Sequence, residues 1–159
     1  MRTVIVSERE DTPAAEKGTF ILDLSSREVR DCTGCWSCWQ RTPGRCASHD
    51  LDDFYRAFMQ ADKVIFYIGV SCDFVSGKLK TLFDRMIPHF LPYTTYKTGE
   101  SMHVTRYDHY PEIEVYYKGD FSSREARILY EEYLGRVFYH FHIPKVLIHS
   151  ENEKKERTA

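Results

Sequence analysis

Five stretches of the chain carry apolar residues in short runs rather than at helical spacing. They are Thr3-Val4-Ile5-Val6, Phe20-Ile21-Leu22, Val64-Ile65-Phe66-Tyr67-Ile68, Ile113-Glu114-Val115-Tyr116-Tyr117 and Val146-Leu147-Ile148. Runs of this length predict strands. The third does not alternate with polar residues, which predicts burial on both faces of a parallel sheet.

Between the strands the rhythm changes. Leu51, Phe54, Tyr55, Phe58 and Met59 fall at i, i+3, i+4, i+7 and i+8, one face of a helix, with Asp50 as its expected N-cap. Asp52 and Asp53 suit the positive end of that helix dipole. Leu79, Leu82, Phe83, Met86 and Ile87 predict a second helix, capped by Ser76 and stopped by Pro88. Asp84 and Arg85 are expected to pair with each other at its end. Ser122-x-x-Glu125 reads as a capping box opening a third helix. Its face runs through Ala126, Leu129, Tyr130, Tyr133, Leu134, Val137, Phe138 and Phe141 to Pro144.

Strands alternating with helices predict an α/β fold. With right-handed crossovers, the natural solution is a flavodoxin-like doubly wound parallel sheet of order 2-1-3-4-5. The first crossover is unusual. Residues 8–18 are polar, broken by Pro13 and Gly18, and have no apolar stripe from which to build a helix. Phe90 to Pro111 is aromatic, without a period, and too long for a simple connection.

The length of 159 residues suits one domain, expected over residues 1–150, with a charged tail over 151–159. The net charge of −2 argues against a nucleic-acid surface. No apolar run approaches the ~20 residues of a membrane helix, and the first residues lack a signal-peptide core. A cytoplasmic location is the expectation.

Five cysteines are an odd number, and a reducing compartment makes a disulfide framework a poor reading. Four of them form the pattern C-x2-C-x2-C-x7-C at Cys32, Cys35, Cys38 and Cys46. Three thiolates two residues apart with a distant fourth can hold an iron–sulfur cube of the [4Fe-4S] type. Zinc prefers two separated pairs. The alternative is a compact loop whose thiols pack beneath Trp36 and Trp39.

This stretch resembles the NAD(P)H-dependent FMN reductase and iron–sulfur flavoprotein group of the flavodoxin-like superfamily. The resemblance rests on Cys32, Gly34, Cys35, Cys38, Pro43, Gly44 and Cys46, then Asp50-Leu51-Asp52-Asp53. It continues through Ala61-Asp62, the Val70 to Gly77 loop, and Leu79-Lys80-Thr81-Leu82-Phe83-Asp84-Arg85. It implies bound FMN, reduced by NAD(P)H or a protein donor. The isoalloxazine would lie against Ser71, Cys72, Asp73, Phe74, Val75 and Ser76, near Trp36.

The same resemblance places the FMN phosphate after the first strand, at a loop leading into a helix N-terminus. Here that loop reads Ser7-Glu8-Arg9-Glu10-Asp11-Thr12-Pro13. Ser7 and Arg9 remain as candidate phosphate contacts, while three carboxylates would repel one. Three functions therefore stand open: an FMN-dependent oxidoreductase, an iron–sulfur electron carrier, and a cofactor-free flavodoxin-like subunit acting through a partner. The missing first helix should also uncover one sheet face beside the first strands. The Phe90 to Pro111 segment or a second subunit is expected to meet it, with Tyr93, Tyr96, Tyr107 and Tyr110 suited to a homodimer interface.

Overall fold

The computed structural model describes residues 1–152. Strands β1 (Thr3–Ser7), β2 (Phe20–Asp23), β3 (Lys63–Gly69), β6 (Glu112–Lys118) and β7 (Val146–Ser150) form one parallel sheet in the order β2-β1-β3-β6-β7. Counted among themselves, these strands have the expected 2-1-3-4-5 order. Helices α2 (Asp52–Gln60), α3 (Gly77–Asp84) and α4 (Arg124–His140) lie in the connections. A four-residue helix, α1 (Ser37–Gln40), sits inside the cysteine segment. Most of the charged tail, from residue 153 onward, lies outside the described residues.

Handedness explains where the helices lie. From β2 onward, every crossover steps across the sheet in the same direction, so a right-handed connection puts each helix on the same face. Val64, Phe66 and Ile68 meet that face, in one core with Phe54 and Phe58 of α2, Leu79 and Leu82 of α3, and Tyr130, Leu134 and Phe138 of α4. Phe66 contacts both Phe83 and Phe138, with ring centroids 6.3 and 5.3 Å apart.

Only the β1–β2 connection steps the other way, and it carries no helix. The opposite face of the sheet therefore has no helical cover among the described residues. This corrects the expectation for β3: its buried residues alternate with half-buried Ile65 and Tyr67. Tyr67, Tyr116 and His149 stack across β3, β6 and β7 on this face, with centroids 5.4 and 5.0 Å apart. Ile21 and Leu147 stand exposed beside them.

The Phe90 to Pro111 segment does not cover that face. It forms an antiparallel hairpin, β4 (Phe90–Thr95) and β5 (Met102–Thr105), preceded by a 3-10 turn at Ile87–His89. Phe90 stacks on Tyr110 and Phe141, on the helical side. Tyr110 is buried there, while Tyr93 and Tyr96 remain exposed.

Three local expectations shift. Ser76 caps α3 as anticipated, accepting from Leu79 N–H. The cap of α4 is Ser123, one residue later than the capping-box reading, and Ser122 bonds Asp73 instead. Leu129 faces solvent, while Tyr130, Leu134 and Phe138 are buried in the core and Tyr133, Val137 and Phe141 pack partly buried against it. Asp50 does not cap α2, because its carboxylate is engaged elsewhere.

Candidate functional site

The cysteine segment is held by its flanks. Arg27 forks onto Asp53 with bonds of 2.9 and 2.8 Å, and Thr81 donates to Asp31 at 2.6 Å. Trp39 donates its indole N–H to Phe90 carbonyl at 2.9 Å, tying the segment to the hairpin. Trp36 has a left-handed backbone with φ of 60°, and its exposed ring meets Trp39 edge-on at 5.5 Å.

These anchors leave a cavity of about 370 Å³. All four cysteines of the C-x2-C-x2-C-x7-C pattern line it, together with Trp36, Trp39, Ser48 and Arg85. Cys38 is buried, Cys46 half-buried, and Cys32 and Cys35 exposed; all four are free thiols. Burial pushes the Cys38 thiol up, and the other three add to this as like charges, so the four sense one another. The Ser37 hydroxyl, then the Ser37 N–H and Thr33, pull Cys35 down to about 7. A thiol so placed supplies thiolate at neutral pH.

The arrangement discriminates between metals. A lone zinc ion needs its ligands converging on one point. Among the described residues, no three His, Cys, Asp or Glu side chains do so. In an iron–sulfur cube each thiolate binds its own iron, so the ligands stand around a cavity rather than meeting at its centre. The four cysteines share that one cavity.

Beneath the cavity lies a polar group that the sequence reading did not anticipate. Arg85 is 1% exposed. It donates to both oxygens of Asp50, to Ser48 hydroxyl at 2.7 Å and to Arg30 carbonyl. Ser48 in turn lies 3.2 Å from the Cys46 sulfur. The expected Asp84–Arg85 pair does not form. Asp84 receives Lys80 one helical turn earlier, at 2.6 Å, because the two share the exposed face of α3.

The expected flavin residues form a second, separate group. None of Ser71 to Ser76 lines the cysteine cavity that holds Trp36. Ser71 and Phe74 bond each other through their backbones at 2.8 and 3.0 Å. Cys72 and Asp73 make the tight turn between them with φ of 50° and 61°. The Asp73 carboxylate accepts Ser122 N–H at 2.7 Å, Phe74 packs on Tyr133, and Val75 is buried.

The phosphate end is filled by the chain itself. The Glu8 carboxylate accepts Gly69 N–H at 2.8 Å and the Ser76 hydroxyl. Ser7 hydroxyl is taken by Thr12 and by Arg9 N–H. The Arg9 guanidinium lies between Asp11 and Glu151, and Asp11 also receives Lys118. Arg9, then Lys118, hold the Asp11 carboxyl well below the usual carboxylate range. The first crossover supplies no helix after β1, and the helix N-terminus beside Glu8 is that of α3, whose cap Ser76 donates to Glu8. Folded this way, the residues present do not fit an FMN phosphate.

Comparison with known proteins agrees with the architecture. No protein-family model matches the chain. An iron–sulfur flavoprotein of Archaeoglobus fulgidus is 34% identical over 69 residues, which is 43% of this chain and 30% of that protein. The match thus spans under a third of the relative's length. Among solved structures, an azoreductase from Bacillus anthracis superposes with a TM-score of 0.63 at 15% identity, covering 94% of this chain and 86% of the other. An FMN-dependent NADH-azoreductase from the same species, in complex with FMN, gives 0.58 at 14% identity with the same coverage.

Proposed function

Taking as premise the flavodoxin-like fold and strand order, we propose that the chain is an electron carrier whose redox group sits in the four-thiol cavity. Cys32, Cys35, Cys38 and Cys46 would hold a [4Fe-4S] cluster there. The single observation that carries this reading is that all four cysteines line one cavity. The similarity to an iron–sulfur flavoprotein supports it. When bound, the cluster supplies one-electron chemistry. The protein's part is to hold the thiolates apart, to shield one side of the cavity with Trp39 and Cys38, and to leave Cys32, Cys35 and Trp36 at the surface for a partner.

A second reading, an FMN-dependent NAD(P)H oxidoreductase, is favoured by the FMN-bound structural neighbour. It requires FMN to displace Glu8 from Gly69 and Ser76. One absorbance spectrum of anaerobically purified protein separates the two. The expected result is broad cluster absorbance with iron and sulfide, and no flavin bands. FMN titration should show no saturable binding to the native chain. Flavin bands with no iron would replace the first reading by the second, and absence of both would leave the cofactor-free partner subunit. We also assign the uncovered face carrying Tyr67, Tyr116 and Leu147 to a homodimer contact. Sedimentation equilibrium at micromolar concentration should give twice the chain mass, and a monomer would reject the contact.

A further inference from the structure

We infer that the mouth of the four-thiol cavity is a binding site for an uncharged planar aromatic molecule, with the Trp36 ring as its stacking platform. The exposed Trp36 lies at the open side of the thiols, so the site stands whether or not they hold a cluster.

Trp36 combines two unfavourable features. Its φ of 60° is a left-handed backbone, which a bulky side chain rarely adopts. The other described non-glycine residues with positive φ are His49, Cys72, Asp73 and His142. Trp36 is the large apolar member of that group. It is also 58% exposed. The left-handed turn has a local use, since the Trp36 carbonyl accepts Trp39 and Gln40 N–H to start α1. Glycine would make the same turn without strain. The ring contact that the indole makes among the described residues is the edge-on one with Trp39. A large side chain kept in solvent on strained backbone points to a role outside the fold.

The surroundings say what the site takes. A cavity of about 370 Å³ is in the size range of small-molecule sites, and its lining is mostly apolar. Ala47, Ile87 and Pro88 line it together with Trp36. Gly34, two residues before Trp36, leaves open space, because a Cβ there would meet nothing within 4 Å. The charges of the lining are already matched. Arg30 and Asp31 sum to zero, and Asp50 holds Arg85. No surplus charge calls for an ionic ligand. A flat, uncharged ring system stacked on the indole suits such a mouth.

Isothermal titration calorimetry on the full chain, purified anaerobically, tests this with 2-naphthol. One control is decahydro-2-naphthol, the same skeleton without the plane. The other is 2-naphthoate, the same plane with a charge. Native protein should bind 2-naphthol saturably, and each control at least tenfold more weakly. Trp36→Gly should weaken 2-naphthol binding about tenfold or more. The same variant, relieved of strain, should melt about 2–4 °C higher. Trp36→Phe keeps a ring and should restore part of the binding. No saturable binding to the native chain, or undiminished binding by Trp36→Gly, overturns the site. Equal binding of either control overturns the ligand class. A lower melting temperature for Trp36→Gly would make the indole a support of the fold and remove the argument from strain. Calorimetry reads binding without iron, so a failure here and a failure of the cluster reading are told apart.

Discussion

Anaerobically reconstituted Cys35→Ser protein is expected to lose its iron and its visible absorbance. Cys35 is exposed, and its thiol, pulled down to about 7 by Ser37 and Thr33, is about half thiolate at neutral pH. Serine offers neither the soft donor nor the charge. Loss of even an outer-shell contact to a metal group costs about 10–100-fold in affinity, and loss of a ligand should exceed the lower bound of that range. Cys72→Ser is the matched control. Cys72 is also an exposed free thiol, but it belongs to the Ser71–Phe74 turn and does not line the cavity. Iron and sulfide analysis should find the two variants well apart. Equal retention of iron in both would remove the four-thiol assignment.

Asp50→Ala should be the most destabilising single carboxylate removal in the chain. It strips a 1%-exposed guanidinium of its ion-pair partner, leaving it only Ser48 and Arg30 carbonyl. Removing one member of a buried pair costs about 3–5 kcal/mol, because the other charge is left uncompensated. Urea unfolding measures this directly, and a loss below about 1 kcal/mol would show the pair to be screened like a surface bridge. The pH dependence gives an independent check. Burial alone would raise the Asp50 carboxyl, but Arg85, the Arg30 N–H and Ser48 together hold it well below the usual carboxylate range. A carboxyl depressed in the folded state stabilises fully above its unfolded value of about 3.9, and the contribution is lost as pH falls toward the folded value. Native protein should therefore lose stability below about pH 4 more steeply than Asp50→Ala. Parallel curves would show that Asp50 does not contribute to the acid transition.

Much of the site was legible, though not its support. Spacing alone selected Cys32, Cys35, Cys38 and Cys46, and the structure puts them on one cavity. Arg85 and Asp50 were misassigned for a common reason. Each sits at a helix end, where local rules favour a neighbour in sequence: a cap for Asp50, Asp84 for Arg85. The bond that forms instead joins residues 35 apart, which local rules do not reach. Glu8 was read as a charge that would repel a phosphate. In the fold it is itself the acceptor at the carboxyl ends of β1 and β3, satisfied by Gly69 and Ser76, which lie 61 and 68 residues away. The hairpin escaped notice because Tyr93 and Tyr96 stay in solvent, so its apolar residues keep no period.

By itself, the sequence determined the five parallel strands, their order, the long final helix and the absence of a helix in the first crossover. Each follows from local runs of apolar residues and from the handedness of crossovers, which chain order carries. The uncovered sheet face was expected from the missing first helix. Only the tertiary structure decided that the Phe90 to Pro111 segment packs on the helical side and leaves that face bare among the described residues. A run such as Val64 to Ile68 is apolar on both sides whether or not anything covers the second, and the stacked Tyr67, Tyr116 and His149 tolerate partial exposure. It also decided which charges are spoken for. Burial and partner choice depend on what three-dimensional packing brings within about 3 Å, and that distance is not written in the order of residues.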